Sequence, residues 1–86
     1  MSYHIREIPR GTYGEFDKIY EEVIELQDSI EQNAKIMEIN ELADLIGAIE
    51  GYLENYHPDI GLDDLIKMKD ITKRAFLSGT RVSRSE

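Results

Sequence analysis

Four carboxylates stand in pairs three residues apart: Glu22 and Glu25 in the run EEVIE, Glu41 and Asp44 in the run ELAD. On a helix such residues are neighbours, and like charges there are mildly destabilising. The second pair is the harder to explain, because it interrupts the most hydrophobic part of the chain. Either both runs are solvated helix faces, or they converge to hold something cationic. Charges ~4 Å apart repel by about 1 kcal/mol in water and about 4 kcal/mol at an effective dielectric of 20, so a convergent cluster must take up protons or a cation. The chain has no cysteine, and neither His4 nor His57 has a partner at metal spacing. An all-oxygen donor set of this kind selects Mg2+, with Mn2+ next.

Convergence needs two helices folded back on each other. The first is expected to start at Thr12 as N-cap, with Glu15 at the N3 position of a capping box, and to run to about Asn33. Phe16, Ile19, Tyr20, Val23, Ile24 and Ile30 recur along it at helical spacing. Lys18, Glu22, Glu25 and Ser29 fall on one narrow polar stripe. Proline and glycine are absent between Glu15 and Asp44, so the break near Asn33–Lys35 rests on a loss of apolar phase and on the polar run EQNAK. The second helix is expected over Ile36–Tyr56, with Met37, Glu41, Asp44, Ala48 and Gly51 on one stripe. Antiparallel packing sets Glu22 and Glu25 opposite Glu41 and Asp44, and facing helices are how bundles build such sites. Ala43 and Leu45 flank Asp44, so partial burial is expected there. Ala43, Gly47 and Gly51 repeat every four residues, leaving either a groove for another helix or simple tight packing within the chain.

A turn at HPDIG, where His57 before Pro58 reads as a turn residue, leads to a third helix from about Leu62 to Leu77. Asp63 and Asp64 in its first turn and Lys73 and Arg74 near its last have the signs the helix dipole favours, and Gly79 is a natural stop. The expected fold is all-α: one domain over 1–86, a short bundle of three main helices completed by oligomerisation, with an extended arm at 1–11 and a flexible tail at 82–86. The reason for oligomerisation lies in the second helix. Ile39, Leu42, Leu45, Ile46, Ile49, Tyr52, Leu53 and Tyr56 make it apolar over more than half its circumference, and one other long helix covers only one face. A chain of 86 residues without disulfides needs a metal or a partner subunit to reinforce its core. A homodimer or homotetramer follows.

Charge narrows the partners. The net charge is −8, which argues against nucleic acid. Acids crowd the stretch from Glu15 to Glu31 with Lys18 the lone base, whereas from Ile66 to Arg84 the bases Lys67, Lys69, Lys73, Arg74, Arg81 and Arg84 stand against Asp70 alone. That split is either surface decoration or the two halves of one site, for a cation and for an anion. No apolar run approaches the ~20 residues of a membrane span, and MSYHIREIPRG has no apolar signal-peptide core, so a soluble cytoplasmic protein is expected, with no membrane partner.

The pattern E-E-x-x-E, a linker, then E-x-x-D resembles the signature of the MazG-like all-α nucleoside triphosphate pyrophosphohydrolases, a superfamily that includes dimeric dUTPases and phosphoribosyl-ATP pyrophosphohydrolases. It is carried by Glu21, Glu22 and Glu25, then Glu41 and Asp44. The resemblance continues through KIYEEVIEL, ELADLIGAIEGYL and MKDITKRAFLSGTR, from about Gly11 to Arg81, and is strongest to short single-domain members, frequent in phages and bacteria. It implies cleavage of a nucleotide between the α and β phosphates, giving a monophosphate and pyrophosphate. It implies Glu22, Glu25, Glu41 and Asp44 as Mg2+ ligands and Glu21 as a supporting or water-orienting catalytic residue. It also implies Lys69, Lys73, Arg74 and Arg81 as phosphate contacts, with Lys18 at the same site, although Asp70 stands where the family often has asparagine.

Each of these residues has a plainer reading. Glu21, sharing a flank with Asp28, reads as a solvated surface acid, and Lys18 as an i,i+4 partner of Glu22. Lys73 and Arg74 read as helix-dipole partners. Tyr3, Tyr13, Tyr20, Tyr52 and Tyr56 form either a base-stacking surface or ordinary core-boundary packing. Two non-hydrolase functions also compete: a non-catalytic acidic helical binding module, and a DNA mimic. A mimic needs charge dispersed along an exposed face, which ELAD, inside an apolar helix, does not offer.

Overall fold

The computed structural model describes residues 7–78 and contains three helices, with no strand among the described residues: α1 (Phe16–Glu31), α2 (Lys35–Tyr56) and α3 (Leu62–Ser78). None of the described helices is long and apolar enough to cross a membrane. The expected arm at 1–11 is described from residue 7 and carries no regular structure. Gly79, Arg81 and the tail at 82–86 lie outside the described residues.

The start of α1 differs from the capping box expected at Thr12. Gly14 takes a φ of +94°, a left-handed value that suits glycine and breaks any helix begun at Thr12. Glu15 is therefore the N-cap, in extended backbone, and makes no capping hydrogen bond with its side chain. Its carboxylate reaches across to the end of α2, where it accepts from the Asn55 amide at 3.2 Å and from the Tyr56 hydroxyl. Asn55 also donates to the Gly14 carbonyl at 3.1 Å, so the first turn is tied to the last turn of α2.

The break between α1 and α2 comes where the apolar phase is lost, and its cause is local. Asn33 adopts φ +58°, its amide donates to the Ile30 carbonyl at 2.9 Å, and the Ala34 amide donates to the Ser29 carbonyl at 3.1 Å. That pair of bonds closes the helix in a Schellman motif with asparagine at the left-handed position. After His57 the chain turns through an Ile60 N–H bond to the His57 carbonyl at 2.9 Å. Asp64 then accepts the Gly61 N–H at 2.9 Å, the return half of a capping box that starts α3.

α1 and α2 pack extensively as an antiparallel pair, while α3 touches only α2, and lightly. The Cα radius of gyration, 15.1 Å, exceeds the ~12 Å of a compact domain of this length. α3 buries none of its residues, and its last turn carries no base, Lys73 and Arg74 lying just before it.

The polarity of the α1–α2 pair is inverted. Its buried residues include Glu21, Glu22, Asp28, Ser29 and Glu41, and the buried apolar side chains among the described residues are only Ala48 and Leu53. Phe16, Tyr20 and Val23 on α1, Ile36 (80% exposed), Ile39 and Ile46 on α2, and Ile71 and Phe76 on α3 face outward. A lone domain gains its stability by the opposite arrangement.

Candidate metal centre

The polar stripe of α1 meets the acidic stripe of α2, and their contact is the site. Glu22 is 4% exposed, Glu41 is fully buried and Glu25 is half-buried, all between the two helices. The carboxylates form two overlapping triads, Glu21–Glu22–Glu25 and Glu22–Glu41–Asp44, each with oxygens within 4.8 Å of one another. Glu22 belongs to both. The predicted ligands Glu22, Glu25, Glu41 and Asp44 are thus brought together by the packing of α1 on α2.

Asp44 does not have the partial burial expected from its apolar neighbours. It is exposed, and the buried acid of the second pair is Glu41. Counting apolar neighbours in sequence mistakes the face: Ala43 is exposed too, because this edge of α2 borders an open cavity that separates it in part from Lys18 and Glu22 of α1. Asp44 stands at the mouth of the cluster and Glu41 at its floor.

Glu21 is not the solvated acid of the plainer reading, being 3% exposed. Its Oε1 accepts from the Gly11 amide at 2.7 Å and from Lys18 Nζ at 3.2 Å, so the N-terminal arm folds onto it. A Cβ at Gly11 would collide with the backbone of Asp17 and Lys18, which is why the arm is glycine at this contact. Lys18 also pairs with Glu22 Oε2 at 3.2 Å, so the expected i,i+4 partnership is present together with an i,i+3 one.

These contacts divide the acids electrostatically. Burial would raise the Glu21 carboxyl, but the Gly11 N–H and Lys18 outweigh it and hold Glu21 below the ordinary carboxylate range. Burial, reinforced by the charge of Asp44, pushes Glu22 up against the pull of Lys18. Burial, a hydrogen bond with Glu41 and the charge of Glu22 push Glu25 from 4.5 to about 8. Burial would lower Lys18, yet its bonds to Glu21 and Glu22 hold it above its usual range. The cluster therefore keeps a proton at neutral pH when no other cation is there to offset its charge.

The donor chemistry fits a hard divalent cation: carboxylate oxygens from two rigid helices, with neither sulfur nor imidazole among them. Glu22 supplies a second sign. Its Oε1 is buried and accepts no hydrogen bond, an arrangement that is destabilising unless a ligand completes it. Among the described residues Lys18 is the base that pairs with the cluster. The expected phosphate contacts of α3 lie elsewhere: Lys69 pairs with Asp70 at 2.9 Å beside Ile46 and Ile49 of α2, and Lys73 and Arg74 are exposed on a helix that does not touch α1.

One feature of the site had little sequence signal. Tyr13, one of several tyrosines, lies over Gly51 of α2 and borders an open cavity of about 360 Å³ beside the carboxylates. The helical register of Gly47 and Gly51 with Asp44 was the available clue. Compared with protein-family models, with curated proteins and with solved structures, the chain matches none of them.

Proposed function

We propose that the protein is a Mg2+-dependent nucleotide pyrophosphohydrolase of the MazG-like kind, releasing pyrophosphate and a nucleoside monophosphate. The observation that supports this reading is the pair of carboxylate triads sharing Glu22, buried between α1 and α2 with an unsatisfied Glu22 oxygen. Glu22, Glu25, Glu41 and Asp44 would hold the ion. When bound, Mg2+ would offset the charge of the triphosphate oxygens and favour in-line attack of water at phosphorus. Glu21, kept ionised by Gly11 and Lys18, is suited to orient that water or to steady Glu22 through their shared lysine. Glu25 would have to give up its proton to act as a ligand, and Glu41, fully buried at the closed end, would hold the ion together with Glu22 and Asp44. Lys18 is placed to meet a phosphate at the cluster, whereas Lys69, Lys73 and Arg74, held apart from it on α3, would contact phosphate only where a second copy of the chain brings them to the site.

Self-association belongs to the same proposal. The outward apolar faces of all three helices, joined to a core of so few apolar side chains, are relieved by pairing with further copies of the chain as a dimer or tetramer. A screen of common nucleoside triphosphates and phosphoribosyl-ATP with Mg2+, detecting pyrophosphate, tests the activity. Asp44→Asn keeps shape and register while removing one charge from the mouth of the site, and is expected to abolish release. Full activity in that variant, or no pyrophosphate from any nucleotide with the parent, overturns the reading.

A further inference from the structure

The cavity beside the carboxylates is bordered by Tyr13, Lys18, Glu22, Asp44, Gly47 and Ala48 and has a volume of about 360 Å³. We propose that it is a nucleobase slot, with the Tyr13 ring as its aromatic wall and Gly47 and Ala48 as its floor, which deepens the pyrophosphohydrolase reading and rests on it.

Three observations carry this. First, Gly47 is inside a 22-residue helix, where glycine is disfavoured, yet a Cβ there would meet nothing within 4 Å. Packing within the chain therefore does not demand glycine at 47, and the free space belongs to the cavity. Gly51, one turn later, is different, since a Cβ there would lie 2.5 Å from Tyr13 Cζ. The two glycines divide the work: one seats the ring, the other leaves room in front of it. Second, Tyr13 is 61% exposed although it is anchored on Gly51 and its hydroxyl donates to Glu54 at 3.4 Å. An exposed aromatic surface held in place is what a base stacks on. Third, Glu22 lines the same cavity, is more than nine-tenths buried, and has an oxygen without a hydrogen-bond partner.

The small-residue floor would also admit a helix from a second copy. Asp44 weighs against that occupant, because an apolar helix laid over the groove would bury its exposed charge, beside the Lys18–Glu22 pair, without offering it a partner. A nucleotide carrying a divalent cation supplies an aromatic face at one end and both signs of charge at the other. The slot and the carboxylates are contiguous through Glu22, so a base against Tyr13 has its phosphates directed to the cluster.

The test is calorimetric titration of the parent and of Gly47→Leu, Tyr13→Ala and Tyr13→Phe. The probes are Mg2+ alone, Mg2+ with tripolyphosphate, and Mg2+ with each common nucleoside monophosphate. Gly47→Leu fills the slot, and Tyr13→Ala removes its wall; each is expected to weaken nucleotide binding about tenfold or more. Both should leave Mg2+ and tripolyphosphate binding as in the parent, and Tyr13→Phe, which keeps the ring but loses its bond to Glu54, should weaken nucleotide binding less than Tyr13→Ala does. Parent-like nucleotide affinity in Gly47→Leu and Tyr13→Ala overturns the slot while leaving the metal centre intact. So does a change of oligomeric mass in Gly47→Leu with nucleotide affinity kept, which assigns the groove to a second copy. A parent that binds neither Mg2+ nor tripolyphosphate overturns the pyrophosphohydrolase reading itself, and the slot with it.

Discussion

Glu25→Gln gives the sharpest test of the buried cluster, because it replaces a carboxyl that the fold keeps protonated with a neutral amide of the same shape. In the parent without metal, burial, the bond with Glu41 and the Glu22 charge lift Glu25 from 4.5 to about 8. The folded chain then holds a proton that the unfolded chain has released, so stability must fall as pH rises across that window. The contribution is fully present below pH ~4.5 and is lost as pH passes through ~8. Each pH unit is worth at most ~1.4 kcal/mol, and the whole interval about 5 kcal/mol. Half-burial and solvent screening reduce that to about 2 kcal/mol. Glu22 shifts in the same direction and adds to the slope, whereas Glu21 is held low and acts only below its ordinary range. Glutamine has no proton to lose, so the variant should match the parent near pH 5 and exceed it by about 2 kcal/mol at pH 8. For a domain of this size that is a Tm difference of about 10 °C. Thermal melts at pH 5, 6.5 and 8, with chelator and with Mg2+, measure it. Mg2+ should reverse the order, raising the parent's Tm much more than the variant's, since binding to the folded state is stabilisation. A metal-free parent whose stability rises from pH 5 to 8, or a variant no more stable than the parent at pH 8, would refute the proposed burial of charge.

Other consequences are simpler to measure. Gly47→Ala should stabilise the protein by about 0.5–1 kcal/mol in a denaturant melt, since its Cβ meets nothing and alanine favours the helix interior. Gly51→Ala should go the other way, because its Cβ would displace the Tyr13 ring, and a stabilised Gly51→Ala would contradict the seating of that ring. If Lys73 and Arg74 contact substrate phosphate, replacing either by alanine should lower kcat/KM and leave the Mg2+-induced Tm shift unchanged; unaltered kinetics in both would return them to surface charge. Light scattering at micromolar concentration should find a dimer or tetramer, and a stable folded monomer would refute the assignment of the outward apolar faces to self-association.

The sequence by itself determined the helices and the pairing of the acids, because both are local properties. Helical periodicity placed α2 and α3 within a residue or so of their observed ends. The spacings of Glu22 to Glu25 and of Glu41 to Asp44 put each pair on one face whatever the tertiary structure does. The start of α1 was less legible, since Gly14's left-handed backbone and Glu15's bonds to Asn55 and Tyr56 depend on where α2 ends. Burial was decided only by packing. Glu21 and Asp28 share a polar flank in the sequence, yet both are buried, while Asp44 among apolar neighbours is exposed. Which acid is desolvated depends on the rotation of α1 against α2 and on an arm that lays the Gly11 amide on Glu21, contacts ten residues apart that no helical pattern encodes. The separation of Lys69, Lys73 and Arg74 from the carboxylates follows likewise from α3 packing on α2 alone. Helical spacing sets which residues are neighbours along one rod; the angle at which two rods meet sets which of those neighbours lose water.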